Sequence, residues 1–211
     1  MTAAPQPAPR RTRVLGILGG IASGKSEVAR LLAGPEGVVL DADRIAHEVL
    51  ESPPLRAWLA ERFGPELVTG ERVDRAALGA KVFSDPAARA ELEARVHPAV
   101  RAALRDGVER ARARGVPWVV LDVPLLLENE GAHHLPGECD ALVFVDTDAK
   151  VREERARARR GWAPFELARR EALQLPLEAK RARADFVLAN DGDLSELRAA
   201  VDRVRATLDA S

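Results

Sequence analysis

The segment Gly19–Ser26 limits what this chain can fold into more than any other part, because it matches the pattern G-x-x-x-x-G-K-[S/T] at every position. Its glycines let the backbone curl so that successive N–H groups point inward and hold an anion, and the N-terminus of a following helix adds positive charge. In such a loop Lys25 reaches the β- and γ-phosphates of a nucleotide, and the Ser26 hydroxyl can ligate Mg²⁺. The segment therefore predicts a nucleotide-binding loop, and a glycine-rich turn without a ligand is the alternative. The residues expected at the nucleotide are Gly20, Ile21, Ala22, Ser23, Gly24, Lys25, Ser26 and Glu27.

Short β-branched runs alternate with longer helical patterns along the chain. This alternation predicts an α/β fold built on a doubly wound parallel sheet of about five strands. Each run is short and almost continuously apolar, as expected for strands that are covered on both faces. The predicted strands are Arg13–Leu18, Val38–Asp41, Trp118–Val123, Ala141–Asp146 and Asp185–Ala189. The phosphate loop follows the first strand directly and leads into a predicted helix over Lys25–Ala33, which is the context that the motif requires.

The stretch between the second and third predicted strands is too long for a simple crossover. Its pattern predicts one helix beginning at Pro86 and another over Pro98–Arg114, and we expect it to be an insertion that binds a substrate. A second stretch, residues 150–183, is helical and densely basic. The motif Asp193-x-x-Glu196 has the spacing of a capping box and predicts a last helix to about Leu208.

Composition and charge exclude several classes of protein. With 211 residues, 46% of them apolar and 31% charged, the chain can bury one sizeable core and is not globally disordered. The 32 basic and 33 acidic side chains argue against nucleic-acid binding through a basic surface, and the apolar runs are too short to span a membrane. Cys139 is the only cysteine, and the four histidines lack metal-site spacing. We therefore expect no internal disulfide, no structural metal and a reducing cytoplasm. Residues 1–12, which are rich in alanine and proline, are expected to form a disordered tail.

Asp41 and Asp43 stand where the second predicted strand ends. Carboxylates at the carboxyl end of a strand in an open parallel sheet face the ligand crevice, and residues two apart share a face of an extended segment. One of them can hold a metal while the other orients or deprotonates an attacking hydroxyl. The alternative is structural, with Asp43 as the N-cap of a helix over Arg44–Leu50.

The run Trp118–Asp122 has the form of a Walker-B strand, which is an apolar run that ends in an acid. In that arrangement the Asp122 carboxylate contacts the Mg²⁺ ion at the phosphate loop. Many strands end in aspartate for other reasons, so a structural role for Asp122 is equally open.

A helical stretch after the fourth strand is crowded with five arginines, namely Arg152, Arg155, Arg157, Arg159 and Arg160. Arg155 and Arg159 are four residues apart and share a helix face. Planar guanidinium groups suit phosphate oxygens, and a closing lid would bring them over a transferred phosphoryl group. The alternative is a solvated helix face on which Glu153 and Glu154 are the ion-pair partners. His97, between two predicted helices, is open to a binding role or a structural one.

The phosphate loop alone indicates nucleotide binding rather than a reaction. The sequence has neither the DxxG switch nor the NKxD base-reading motif of GTPases, and the chain is small for a motor or transporter ATPase. A phosphate loop combined with a helical insertion and an arginine-rich segment is typical of a small-molecule kinase.

Six motifs in order make the chain resemble the dephospho-coenzyme A kinase family over about residues 13–208. They are Gly19–Ser26, Asp41-Ala42-Asp43, His97-Pro98, Val123-Pro124-Leu125-Leu126, the pair Arg155 and Arg159, and Ala-Asp-Phe-Val-Leu-Ala-Asn at 184–190. Gln174 and Lys180 also stand where the family usually has Gln and Lys. The chain departs from the family pattern at Leu18, Ala22 and Glu27, where the family has Thr, Gly and Thr.

The resemblance implies ATP-dependent phosphorylation of the ribose 3′-hydroxyl of dephospho-coenzyme A, with ATP as co-substrate and Mg²⁺ as the metal ion. It makes Asp43 the favoured catalytic base and adds Asn190 to the nucleotide site. Motifs and resemblance together assign Asp43, Lys25, Arg155 and Arg159 to catalysis, Asp41, Asp43 and His97 to the acceptor, and Ser26 and Asp122 to the metal.

The resemblance also implies three parts of the molecule. They are a nucleotide-binding core of residues 13–48, 115–149 and 184–211, an acceptor-binding insertion of residues 49–114, and a lid of residues 150–183. Two alternatives stay open: a kinase of the nucleoside-monophosphate type, with another acceptor, and a non-catalytic nucleotide-binding module. The expected partners are small molecules, with no nucleic acid and no membrane, and the expected location is the cytoplasm.

Overall fold

Strands and helices alternate through the structure, a computed structural model that describes residues 11–210. The strands are β1 Arg13–Gly19, β2 Val38–Asp41, β3 Val68–Thr69, β4 Arg72–Val73, β5 Trp118–Asp122, β6 Ala141–Asp146 and β7 Phe186–Ala189. The helices are α1 Lys25–Ala33, α2 Ala42–Leu50, α3 Pro53–Phe63, α4 Arg75–Phe83, α5 Pro86–Ala113, α6 Glu130–His133, α7 Ala149–Arg160, α8 Glu166–Glu171, α9 Leu177–Ala182 and α10 Leu194–Asp209. Two short 3₁₀ turns, Pro65–Leu67 and Leu135–Glu138, complete the elements.

The predicted disordered tail is residues 1–12, and the first ten of these lie outside the described residues. Its last two residues belong to the described fold. Thr12 is buried, and the Arg11 guanidinium lies 2.6 Å from the carboxylate of Asp140.

Five strands form one parallel sheet in the order β2-β5-β1-β6-β7, which confirms the predicted fold class. The central strand β1 pairs with β5 on one side and β6 on the other, so that Gly16 stands opposite Leu121 and Leu142. The carboxyl ends of parallel strands meet at one edge of a sheet, where ligands bind in open α/β folds. The two remaining strands, β3 and β4, form a short antiparallel hairpin that the sequence pattern did not predict.

The chain divides into two compact units. Unit 1 contains the described residues up to Leu40 and those from Val108 onward, and unit 2 is Asp41–Gly107. Unit 2 begins and ends earlier than the predicted insertion of residues 49–114. The binding roles assigned to that insertion and to the lid stay predictions.

The core of unit 1 lies between the sheet and helices α1 and α10. Leu15, Val120 and Val143, from three neighbouring strands, are completely buried against Leu32 of α1 and Val201 of α10. Burial of each such side chain contributes roughly 1.5–3 kcal/mol. This packing holds α1 in place, and with it the phosphate loop that precedes α1.

Unit 2 has a smaller core of its own. Leu59 of α3 is completely buried there and packs in one cluster with Val96 of α5. Trp58 meets the edge of Phe63 with ring centroids 5.5 Å apart, and the Arg95 guanidinium lies 4.9 Å over the Trp58 ring. Aromatic and apolar contacts therefore stabilise this unit.

The stretch predicted as two helices with a break before Pro98 is one helix, α5. The helix begins at Pro86 as predicted, but the predicted break is wrong. Proline removes one backbone hydrogen bond, which disfavours a helix interior. On both sides of it, however, Leu92, Val96 and Val100 recur at helical spacing and all pack on the core of unit 2. Their burial offsets the missing hydrogen bond.

Residues 150–183 contain most of α7 and all of α8 and α9. Helix α7 begins after Asp148, whose side chain accepts a hydrogen bond from Lys150 N at 2.8 Å. After α7 ends, Trp162 stacks with the guanidinium groups of Arg160 and Arg170, which lie 4.9 and 4.5 Å from its ring centroid. Cation–π contacts of this kind join the end of α7 to α8.

Helix α10 begins with the predicted capping box. The Asp193 side chain accepts hydrogen bonds from Ser195 N at 2.7 Å and Glu196 N at 3.0 Å, and Asp193 N donates to Glu196 Oε2 at 3.3 Å. These bonds satisfy backbone donors that the helix itself leaves unpaired.

We expect Asp193→Ala to lower the melting temperature by about 2–4 °C, because it removes this cap. The hydrogen bonds also lower the pKa of Asp193, so the difference is present near neutral pH and fades as acid protonates the carboxyl. Thermal unfolding followed by circular dichroism measures both effects. Asp202→Ala, on an exposed turn of the same helix, is the control, and an equal loss in both variants would contradict the capping role.

Candidate nucleotide-binding site

The polar residues of the candidate site in unit 1 come from the carboxyl ends of four strands. The phosphate loop follows β1, Asp122 ends β5, Thr147 follows β6 and Asn190 follows β7. Because the strands are parallel, these ends share one edge of the sheet. Strand order, rather than closeness in sequence, therefore assembles the site.

The phosphate loop enters α1 through left-handed backbone. Gly24 has φ 90°, and a Cβ there would lie 2.4 Å from Asn190 Nδ2, so only glycine fits without movement. Ala22 is also left-handed, with φ 59°. A non-glycine residue in that conformation costs roughly 1–2 kcal/mol. Ala22, which stands where the family has glycine, therefore holds a strained backbone conformation.

Lys25 folds back over the loop. Its Nζ donates hydrogen bonds to the carbonyl oxygens of Gly20 at 2.8 Å and Gly19 at 3.2 Å. Burial lowers the pKa of Lys25 from 10.5 to about 8; the Asp122 carboxylate opposes this lowering and the Lys180 ammonium adds to it. The loop thus holds a poorly solvated cation whose charge a bound anion would stabilise.

Ser26, in the first turn of α1, forms a hydrogen bond with Asp122 at the end of β5. The Ser26 hydroxyl donates a hydrogen bond to Asp122 Oδ2 at 2.6 Å, and Asp122 is only 9% exposed. A hydroxyl and a carboxylate beside a phosphate loop are the oxygen ligands that hold Mg²⁺ in proteins of this type. The predicted contact of Asp122 with Mg²⁺ stays a prediction.

A hydrogen-bonded network ties the loop to two further strand ends and to α7. The carbonyl oxygen of Ser23 accepts from Asn190 Nδ2 at 2.7 Å and from Thr147 Oγ1 at 3.1 Å. Arg155 Nη2 donates to the Asn190 carbonyl oxygen at 2.9 Å. The structure therefore brings Asn190 and Arg155 to the loop, whereas Arg159 is exposed one turn further along α7.

Glu27, a predicted loop residue, lies in the first turn of α1. Its carboxylate is 2.7 Å from the Arg30 guanidinium, and both side chains are exposed. This pairing offsets part of the negative charge that Glu27 brings near the phosphate loop, although an exposed pair adds little stability.

Three predicted site residues lie in unit 2. Asp41 is the N-cap of α2, with its side chain accepting a hydrogen bond from Arg44 N at 3.0 Å. The alternative in which Asp43 caps this helix is therefore wrong: the helix already begins at Ala42, and Asp43 lies exposed in its first turn. His97 is exposed in the interior of α5. The functional roles of these three residues stay predictions.

Sequence reasoning missed Thr147 and Glu171 at the loop. Thr147 was open to prediction, since it follows a strand end at the same edge as Asp122. Glu171 Oε1 accepts a hydrogen bond from Ile21 N at 3.0 Å and forms an ion pair with buried Arg152. No motif marks Glu171, because only the path of the helices between β6 and β7 brings it to the loop.

Other reactive chemistry is limited in the part of the chain that the structure describes. Within residues 11–210 no group of three or more His, Cys, Asp or Glu side chains could hold a metal ion. Burial raises the pKa of the Cys139 thiol to about 12, so Cys139 is not a nucleophile near neutral pH. None of the helices over these residues combines the length and apolar character needed to cross a bilayer.

The five-stranded parallel sheet, the loop after its central strand and the Ser26–Asp122 pair define the P-loop kinase class. A sequence profile of the dephospho-CoA kinase family matches residues 13–196. A dephospho-CoA kinase of Deinococcus radiodurans is 46% identical over 96% of this chain and 96% of its own length. That of Anaeromyxobacter dehalogenans is 43% identical over 93% of this chain and 92% of its own length.

A crystal structure of a protein from Thermus thermophilus superposes with a TM-score of 0.73 at 39% identity. The superposition covers 94% of this chain and 99% of the Thermus thermophilus chain. The chain therefore belongs to the dephospho-CoA kinase family, as its motifs indicated.

The lowered pKa of Lys25 predicts how the ligand-free fold responds to pH. Between about pH 8 and 10.5 the unfolded chain binds more protons at this lysine than the folded chain does. Lys25 therefore destabilises the fold below pH 8, and the cost fades as the pH rises toward 10.5. We expect Lys25→Met to raise the melting temperature at pH 7, with a smaller gain at pH 10. Kinase activity should fall on the order of 10²-fold or more, because a positive charge at the phosphates is lost.

Thermal unfolding at the two pH values, with a turnover assay, measures this. Lys150→Met, at an exposed lysine of α7, is the control and should change neither quantity. A Lys25→Met protein that is less stable than its parent at pH 7 would contradict the electrostatic argument.

Proposed function

We propose that this chain transfers the γ-phosphoryl group of ATP to the ribose 3′-hydroxyl of dephospho-coenzyme A, giving coenzyme A and ADP in the last step of coenzyme A synthesis. The observation that carries the proposal is the 2.6 Å contact between Ser26 Oγ and Asp122 Oδ2 next to the phosphate loop, in a chain of the dephospho-CoA kinase family. That contact supports the use of the loop for a metal-bound nucleotide.

The loop and Lys25 supply the attraction for the phosphates. Loop N–H groups and the start of α1 bind phosphate oxygens, and Lys25 exchanges the carbonyl oxygens of Gly19 and Gly20 for them. Burial has already removed much of the water around the Lys25 ammonium group, and this lowers its pKa. Little further solvation is therefore lost when a phosphate binds. The anion restores the charged form, so binding between pH 8 and 10 should be accompanied by proton uptake.

Mg²⁺ fits the pair Ser26 and Asp122, since hydroxyl and carboxylate oxygens are the ligands that this ion prefers. These two residues would hold the ion together with the phosphates of the nucleotide. When bound, Mg²⁺ neutralises charge on the β- and γ-phosphate oxygens. The hydrogen bond from Ser26 to Asp122 holds both oxygens in position before the ion arrives.

On the acceptor side we assign Asp43 as the base. Its carboxylate is exposed in the first turn of α2, whose start is held by the Asp41 cap. The ribose 3′-oxygen bonds to the γ-phosphorus as its proton passes to Asp43, and the bond from that phosphorus to the bridging oxygen breaks to release ADP. Asp41, His97 and the rest of residues 49–114 make up the proposed acceptor-binding part.

Residues 150–183 are the proposed lid. Arg155 is already joined to the loop through the carbonyl of Asn190, and Arg159 lies exposed one turn away. Closure around ATP brings Arg159 to the transferred phosphoryl group and excludes water, which limits wasteful hydrolysis.

A single assay separates this function from its two alternatives. If ADP is released only when both dephospho-coenzyme A and Mg-ATP are present, the chain turns over and uses this acceptor. Release with a nucleoside monophosphate instead would indicate a nucleoside-monophosphate-type kinase. ATP binding with no release for either acceptor would indicate a non-catalytic module.

We place the enzyme in a reducing cytoplasm, which its single, half-buried cysteine suits. Its near-zero net charge of -1 supports small-molecule partners rather than nucleic acid.

We expect Asp43→Asn to lower kcat by about 10²–10⁴-fold while the affinity for ATP stays within about twofold, because an amide cannot accept the proton. Steady-state kinetics and calorimetry measure the two quantities. Glu48→Gln is the matched control, since Glu48 is exposed on the same helix and pairs with Arg44 at 2.6 Å. An Asp43→Asn enzyme with full kcat would contradict the assignment of the base.

We expect Arg159→Ala to lower kcat by about tenfold or more with little change in KM for the acceptor. The reason is that the charge it meets grows in the transition state. Arg157→Ala, at another exposed arginine of α7, should leave kcat unchanged. An Arg159→Ala enzyme with the kcat of the unaltered chain would instead indicate a solvated helix face.

A further inference from the structure

A carboxylate from the lid lies against the phosphate loop. Glu171, the last residue of α8, accepts a hydrogen bond from Ile21 N at 3.0 Å and forms an ion pair with Arg152. Both side chains crowd Gly20, where an added Cβ would meet Arg152 Nη1 at 2.8 Å and Glu171 Oε1 at 2.9 Å. An anion and the cation that holds it are therefore in contact with the backbone of the loop.

Arg152 is fixed independently of Glu171. Its side chain is 5% exposed, and its Nε donates to the carbonyl oxygen of Thr147 at 3.0 Å. A buried guanidinium is stable only beside an anion, and its five N–H donors match carboxylate and phosphate oxygens alike. Arg152 can thus exchange one anion for another without leaving its position.

Glu171 occupies the surroundings that a nucleotide phosphate would need. It contacts a loop N–H and a guanidinium, and its charge acts on Lys25, whose pKa it raises. An arriving phosphate finds the same partners already taken by a like charge, and like charges in one place oppose binding.

We propose that Arg152 is a phosphate-binding residue of the nucleotide site and that Glu171 occupies Arg152 and the Ile21 amide until a phosphate of ATP displaces it. This inference rests on the proposed use of the loop for ATP. On displacement, the two donors exchange a carboxylate oxygen for phosphate oxygens, and Arg152 keeps its bond to Thr147. The end of α8 then leaves the loop, which couples nucleotide binding to a rearrangement of the lid.

Calorimetric titration of the full chain with Mg-ATP tests the proposal. Glu171→Gln keeps the shape and the acceptor oxygen but removes the charge, so we expect it to bind ATP about tenfold more tightly than the unaltered chain. Glu166→Gln is the matched control: Glu166 lies on the same helix but pairs with Arg169 and Arg170, and its substitution should leave the affinity unchanged.

A double variant tests the role of Arg152 itself. Arg152→Gln combined with Glu171→Gln leaves no unpaired buried charge, and we expect it to lose the tenfold gain and to bind ATP more weakly than the unaltered chain. Thermal unfolding without nucleotide confirms that each variant is folded.

Three outcomes contradict the proposal. If Glu171→Gln binds ATP no more tightly than the unaltered chain, Glu171 does not compete with phosphate. If the double variant binds as tightly as Glu171→Gln, Arg152 does not bind phosphate. In both cases the proposed function stands, whereas an unaltered chain that binds no ATP overturns the proposed function and this inference together.

Discussion

The parallel pairing of β1 with β5 on one side and β6 on the other brings the strand ends that carry Asp122 and Thr147 to the phosphate loop. Gly16 stands opposite Leu121, so Asp122 is the next residue of β5 and reaches Ser26 in the first turn of α1. A shift of one residue in this register would turn Asp122 to the other face of the sheet. The contact also needs α1 to be held firmly, which the burial of Leu32 provides. Core packing and the contact between Ser26 and Asp122 are thus two results of the same strand pairing.

The site keeps positive charge in places where water solvates it poorly. Lys25 has only carbonyl oxygens as hydrogen-bond acceptors in the loop, and its pKa is lowered to about 8. Arg152 is more deeply buried, but it has a carboxylate partner in Glu171. The two cations therefore differ: one is left unstable until an anion arrives, and the other is stabilised in advance by an anion of the protein itself. The first arrangement lowers folding stability in favour of binding, and the second, in the role proposed for Glu171, lowers affinity in favour of stability.

The five strands, the phosphate loop and the α10 cap were predictable because each follows from a local pattern of apolar spacing, glycines or capping residues. The break before Pro98 was wrong, because burial on both sides of the proline outweighs its local cost. Both Asp41 and Asp43 suit a helix start, and only the backbone path shows that Asp41 is the cap. Glu171 could not be predicted at all, since its contact with the loop spans 150 residues of sequence. Local rules give the elements of the site, whereas the partners depend on tertiary packing.

The stacking of Trp162 with two arginines gives this chain a natural optical probe. The sequence has three tryptophans: Trp118 is buried in the core of unit 1, Trp58 packs in unit 2, and Trp162 alone lies in the stretch between β6 and β7. Indole emission responds to nearby charge and to water, so separation of the Arg160 and Arg170 guanidinium groups from the Trp162 ring would alter its fluorescence. With phenylalanine in place of the other two tryptophans, the proposed rearrangement of these helices would become visible in stopped-flow records without any attached dye.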